Sequence, residues 1–141
     1  MRDVFHIFPD ITAAAVSTTY TPADSADFGA LEKNLTKFGG HHTGQSGSEV
    51  RMVFQLTGGT IAVGGIFTLE IQDSTDNSTF VSRIKGATTT VAGAAIPEGT
   101  MFSLPLPLTH ARYLRPAVTT GATWASSRVF KTWLEMGRTV V

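Results

Sequence analysis

The chain contains no cysteine. Disulfides, Fe–S clusters, thiolate zinc sites and cysteine nucleophiles are therefore outside its chemistry, and no cofactor or metal is expected. It also lacks an excess of charge of one sign. Eleven basic and 11 acidic residues are mixed along 141 positions for a formal net charge of zero, so nothing resembles the one-sided basic stripe that neutralises phosphates, and nucleic acid is not expected as a partner. Long apolar runs are missing too. The longest, Ile61–Phe67 and Val91–Ile96, fall far short of the roughly 20 residues of a membrane span, so no membrane partner is expected. Asp3, His6 and Asp10 interrupt the apolar residues of the first ten positions, unlike a secretory signal, and the sequence reads as that of a soluble protein made in a cytoplasm. Charge is sparse overall. With 42% hydrophobic and 16% charged residues, the chain suits one domain, residues 1–141, hiding roughly two thirds of its unfolded surface.

What the sequence does contain is strand signal with turn chemistry between. Val50–Leu56 places Val50, Met52, Phe54 and Leu56 on one face, the period-two alternation of a half-buried strand, and Gly58-Gly59 closes it. Phe67–Gln72 repeats the pattern with Phe67, Leu69 and Ile71 inward and Thr68, Glu70 and Gln72 toward water. Asp73–Ser78 then reads as a hairpin loop, since Asp, Asn and Ser bond their own backbone, and Phe80–Ile84 returns. Thr88–Ile96 is β-prone but irregular. Phe102, Leu104, Leu106 and Leu108 share a face, while Pro105 and Pro107 cannot donate to a ladder and place that strand at a sheet edge or at a subunit contact. Arg112–Val118 and Arg128–Glu135 follow. With strands near Val4–Phe8 and Thr12–Tyr20, about eight antiparallel strands fit, an all-β jelly-roll β-sandwich. Its expected core includes Met52, Phe54, Phe67, Leu69, Ile71, Phe102, Leu104 and Leu114. One stretch breaks the rhythm: Leu31, Leu35 and Phe38 suggest a short helix before the Gly-rich 39–47, so residues 30–47 read as a helical or loop excursion.

Catalytic constellations are not found. His41 and His42 are adjacent, so on an extended backbone their imidazoles point apart, and no third ligand follows at a useful spacing. Asp73 and Asp76 supply hard oxygens, but the loop lacks glycine at its sixth place and has Ile84 where a calcium loop needs a bidentate glutamate. Gly44-Gln-Ser-Gly47 is not the Gly-x-Ser-x-Gly nucleophile elbow. Ser103 and His110 are ingredients of a hydrolase without its spacing signature. Asn34-Leu-Thr36 and Asn77-Ser-Thr79 read as turn chemistry. The chain is expected not to be an enzyme.

The residues that invite a partner lie elsewhere. Val4, Phe5, Ile7 and Phe8 leave apolar side chains on both faces of a terminal strand, which reads as an adhesive N-terminal arm over about residues 1–10. Arg112, Arg115 and Trp124, near Tyr113 and Trp133, have the arginine and aromatic character of interfaces. The blander reading makes the arginines solvated covers of apolar neighbours and the tryptophans core.

The order of elements carries a resemblance. An extended start at 1–8, Asp27-Phe-Gly29 after a Ser/Thr/Ala-rich strand, strand, Asp/Asn loop and strand over 67–82, Ile96-Pro-Glu-Gly99, 102–107, Ala111-Arg-Tyr-Leu-Arg115 and Trp133-Leu134 together resemble the jelly-roll capsid cement (decoration) proteins of tailed bacteriophages, Bordetella podophage type. That resemblance implies two packed four-stranded sheets and a structural virion protein on the capsid exterior. It implies a partner, the phage major capsid protein, whose neighbouring copies are bridged non-covalently so that the shell resists internal DNA pressure. It implies no catalytic residues. A homo-oligomer, dimer or trimer, fits such a role, since weak contacts multiply over a lattice. The alternative is a carbohydrate-binding module of a phage tail or secreted protein, which needs an exposed aromatic platform. A cupin-type catalytic jelly roll would need clustered histidines that His6, His41, His42 and His110 do not spell.

Overall fold

The computed structural model describes residues 2–14, 17–27, 48–86, 88–106, 110–121, 124 and 127–138, with side chains throughout except at 2–5, 48–49 and 136–138. Those residues form ten β-strands: β1 Arg2–Ala13, β2 Thr19–Tyr20, β3 Ala26–Asp27, β4 Ser48–Gly58, β5 Ile66–Ser74, β6 Val81–Lys85, β7 Thr89–Thr90, β8 Met101–Pro105, β9 Tyr113–Thr120 and β10 Arg128–Arg138. They pair as two antiparallel sheets. Sheet A runs β1-β10-β4-β8, and sheet B runs β2-β9-β5-β6, with β3 also on β9 and β7 also on β5. Setting aside the two-residue β3 and β7, sheet A has the first, eighth, third and sixth strands and sheet B the second, seventh, fourth and fifth. That order is the double Greek key of a jelly roll.

Alternation explains the core. Val50, Met52, Phe54 and Leu56 from β4, and Phe130 and Leu134 from β10, meet Phe67, Leu69 and Ile71 from β5 and Leu114 and Val118 from β9, all buried. Of the expected core set only Phe102 and Leu104 are partly exposed, because β8 is an edge strand. Pro105 sits there at no cost to a ladder, pairing only inward with Arg51. Phe67 ties the sheets together by edge-on contact with Phe102 at 5.6 Å and Trp124 at 6.4 Å between ring centroids. Gly121 lets β9 leave the sheet beside β5, since a Cβ there would lie 2.5 Å from Ile66 Cβ. The β5–β6 turn is the expected Asx chemistry. Asp76 Oδ1 accepts from the Ser78 and Thr79 amides, both at 2.9 Å, and Asn77 takes φ +60°.

Three expectations need correction. The strands expected near Val4–Phe8 and Thr12–Tyr20 are instead one long strand to Ala13 and a two-residue β2. A register shift between Phe8 and Ile11 carries β1 through Pro9, which has no N–H to offer. The arm expected over residues 1–10 is therefore the first part of an edge strand, paired with β10 from Arg2 opposite Gly137 onward. Finally, Thr68 and Glu70, expected in water, are buried. The helical or loop excursion of residues 30–47, with His41 and His42, lies outside the described residues, as do Asn34, Pro107 and Leu108.

Candidate contact surfaces

The outer face of sheet A follows from the register. Ile7 lies opposite Trp133, Trp133 opposite Val53 and Val53 opposite Ser103, so an apolar row crosses three strands on the side away from the core. Val53 is nearly fully buried although it points outward, and Trp133 is half-buried with its Nε1 enclosed and lacking an acceptor among the described residues. Ile7 is 71% exposed, and Met101 on the edge strand is 52% exposed. Arg51 flanks the row and donates from Nε to Ser103 Oγ at 3.0 Å.

Sheet B answers its outward polar groups internally. Thr119 Oγ1 donates to Glu70 Oε1 at 2.9 Å, so the 2.9 Å contact between Thr19 and Thr119 has Thr19 as donor. Thr68 meets Thr88 at 3.0 Å. At the end of the sheet, buried Asp73 accepts from Arg83 Nε at 2.9 Å, Arg83 Nη2 at 3.2 Å and the Ala111 amide at 2.8 Å. Burial pushes the Asp73 carboxyl up, but the Arg83 fork, the Ala111 amide and nearby His110 together hold it below the usual range. Both of its oxygens are committed, as is Asp76 Oδ1, and the described residues contain no cluster of three or more metal-ligating side chains.

The contact residues expected from sequence fall into different places. Ile7 is exposed, and Val4 and Phe5 lie in the same strand, where side chains are not described. Phe8 is a correction: on the inward side of β1 it is 2% exposed and belongs to the core. Trp124 is another. It is 4% exposed and its Nε1 donates to the Ala13 carbonyl at 3.0 Å, so it locks β1 to the core, as the blander reading had it. Arg112 is on the surface and forms a two-pronged pair with Asp27, Nε–Oδ1 2.7 Å and Nη2–Oδ2 2.9 Å. Arg115 is half-buried. Its Nε donates to Gln72 Oε1 at 2.8 Å, and its guanidinium carbon stands 3.7 Å above the Phe80 ring centre.

Arg115 and Phe80 belong to a pocket of about 330 Å³, which His6, Asp24, Ser25 and Asn77 also line. Ser25 donates its hydroxyl to Asn77 Oδ1. His6 Nε2 is enclosed without a hydrogen-bond partner among the described residues; burial pushes its pKa down while Asp24 pulls the other way. Sequence reading missed this pocket, because its lining comes from four distant segments with no local motif. The apolar row was partly legible: Val53 and Trp133 are apolar at outward positions of strands whose inward positions are already filled. Of the two hydrolase ingredients, Ser103 accepts from Arg51 Nε at 3.0 Å and His110 Nδ1 lies 2.7 Å from the Ala111 carbonyl.

Against known proteins, the sequence model of the Bbp16 family matches residues 10–129. No curated protein matches the chain. Among solved structures it is similar to a chain from the "Cryo-EM structure of giant freshwater prawn Macrobrachium rosenbergii extra small virus (XSV) VLP", at 16% identity, covering 96% of this chain and 77% of that one with a TM-score of 0.34. A likeness that loose carries no argument; the jelly-roll assignment rests on strand order.

Proposed function

We propose that this chain, which belongs to the Bbp16 family of Bordetella phage proteins, is a structural virion protein that binds the outer surface of an icosahedral head and cements neighbouring major capsid proteins without covalent links. The observation that carries this reading is the family match over residues 10–129. The sandwich beneath it suits the role. Its long strands make a rigid block, and its outer sheet A surface presents Ile7 and the half-buried Trp133 in one row. The contact is proposed to use that row and β1, Val4, Phe5 and Ile7, with Arg112 and Arg115 as charged partners. Phe8 and Trp124 act indirectly, by fixing β1 to the core. A dimer over a two-fold axis or a trimer over a three-fold axis would multiply a modest contact by avidity. The zero net charge predicts that added salt weakens binding only modestly.

The test is a comparison of heads stripped of the protein with the same heads after adding it back. Decorated heads should hold the protein in a fixed ratio to the major capsid protein, and they should rupture at higher temperature, because a ligand of the intact lattice stabilises it by mass action. Equal rupture temperatures at saturation would end the cement reading. Saturable binding to a purified polysaccharide, with none to heads, would favour the carbohydrate-module alternative.

A further inference from the structure

Three arginines lie on or just beside sheet B: Arg83 in β6, Arg115 in β9 and Arg112 immediately before β9. Arg83 is bonded to the Asp73 carboxylate, and Arg112 to both oxygens of Asp27. Arg115 makes its one side-chain hydrogen bond to a neutral amide, that of Gln72, and its guanidinium carbon stands over the Phe80 ring at 3.7 Å from its centre. Among the described residues its Nη atoms have no acceptor. Gln72 occupies the Nε, and the ring packs against the guanidinium, so the Nη1–Nη2 edge is fixed in orientation and available to the pocket. Burial is the sole influence shifting this guanidinium, and Asp24, the acidic member of the lining, acts on His6 instead.

The geometry points to a carboxylate-binding site in the pocket lined by Arg115, Phe80 and Asn77. A planar anion with two oxygens matches the two parallel Nη donors. Asn77, with its Oδ1 taken by Ser25, keeps its Nδ2 donor for the same ligand. A monoanion fits better than a phosphate dianion. The lining has one cation, Asp24 repels a second negative charge, and the His6 imidazole is held neutral near pH 7 by burial. The carboxylate comes either from an acidic side chain on a partner protein or from a free small acid; the recognition chemistry is shared.

The experiment follows the Arg115 guanidinium Nε–H signal together with the backbone amide signals of Asn77 and Phe80, which remain readable in the Arg115 variants, in the full chain by 1H–15N NMR. Two probes are titrated at constant ionic strength: sodium acetate against sodium chloride, and a capped peptide bearing one glutamate against its glutamine twin. We expect a saturable shift of Arg115 with roughly millimolar affinity for the carboxylate probes, and none for chloride or the glutamine peptide. A glutamate peptide binding about tenfold tighter than acetate assigns the site to a protein partner, and equal affinities assign it to a free acid. Arg115→Gln should lose the response, Arg115→Lys should keep a weaker one, and Arg112→Gln should leave it intact, with unchanged melting temperatures showing that each variant folds. Saturable shifts at Phe80 and Asn77 with Arg115→Gln would place the anion elsewhere and overturn the assignment, as would no response of Arg115 to either carboxylate. The inference does not rest on the capsid reading: carboxylate binding without head binding would leave this site standing and remove only the cement function.

Discussion

On the outer face of sheet B, a hydroxyl relay from Thr19 through Thr119 ends on the buried Glu70 carboxylate, and Arg115 is laid down between Gln72 and Phe80. On the outer face of sheet A, Ile7 stands in solvent beside a tryptophan whose indole N–H has no acceptor among the described residues. Both faces were built by the same alternation, and both cover one shared core. The contrast lies in what each leaves unanswered. A face whose polar groups already have partners gains little from burial against another protein, because its desolvation is not repaid by new bonds. An apolar row gains from losing water, at roughly 25 cal/mol per Å². Under the proposed function the apolar part of the contact would therefore fall on sheet A, with Arg112 and Arg115, just before and within β9 of sheet B, as its charged partners.

The largest effects should come from inside, where the sheets are equivalent. Phe130 in sheet A and Ile71 in sheet B are both fully buried. Phe130→Ala should cost about 3–5 kcal/mol and Ile71→Ala about 2–5 kcal/mol of unfolding free energy, measured by denaturant titration. If one loss were large and the other negligible, the two sheets would not share one cooperative core, and reading their outer faces as alternatives would fail.

Much of this was legible in the sequence. The strands at β4, β5 and β10 alternate cleanly, and Met52, Phe54, Leu69 and Leu114 are core residues as their period-two spacing requires. Pro105 marked an edge because a missing N–H is a local property. What failed was non-local. Glu70 and Thr68 looked solvent-facing by alternation, yet they are buried among cross-strand neighbours that only the β5–β9 register supplies. Phe8 looked adhesive because Phe5, Ile7 and Phe8 are all apolar, and only the pairing of β1 with β10 shows which side faces the core. Trp124 lies outside any strand, so no periodicity could place it; the Ala13 carbonyl does. The Arg115 pocket draws on β1, the β2–β3 connection, the β5–β6 turn and β9, a convergence that no single segment encodes.

Next in size is the carboxylate at the end of sheet B. Asp73→Ala leaves Arg83 and the Ala111 amide without their acceptor, and should cost about 1.5–3 kcal/mol. The pH dependence carries a definite sign. The folded pKa of Asp73 lies below the ordinary 3.8, so its stabilisation is fully present above that value and is lost as pH falls through the folded pKa. Wild type and Asp73→Ala should therefore differ in melting temperature at pH 6 and converge as the pH drops below 3.8. A constant difference across that window would mean that packing, not charge, holds this corner. Smaller again is Thr119→Val, which removes the middle hydroxyl of the relay. Glu70 then loses its donor, and about 1 kcal/mol should be lost if the outer face of sheet B is self-satisfied as described. No loss would show that water serves Glu70 equally well.

The smallest effect on folding should accompany a large effect on assembly. Ile7 is 71% exposed, so Ile7→Ser removes little buried surface and should change stability by no more than about 0.5 kcal/mol. In the proposed contact the same side chain leaves water, and its loss should weaken head binding by roughly tenfold, the equivalent of about 1.4 kcal/mol. Val63 is the control. It is 58% exposed but lies in the turn between β4 and β5, away from the Ile7–Trp133–Val53 row, so Val63→Ser should alter neither stability nor binding. Co-sedimentation of each variant with stripped heads, at matched concentration, reads the difference directly. The contrast between the faces breaks if Ile7→Ser binds as well as wild type while Thr119→Val, on the other sheet, does not. In that case the self-satisfied face would be the one in contact, and its internal hydrogen bonds would have to be read as preorganisation for a partner instead of as a finished surface.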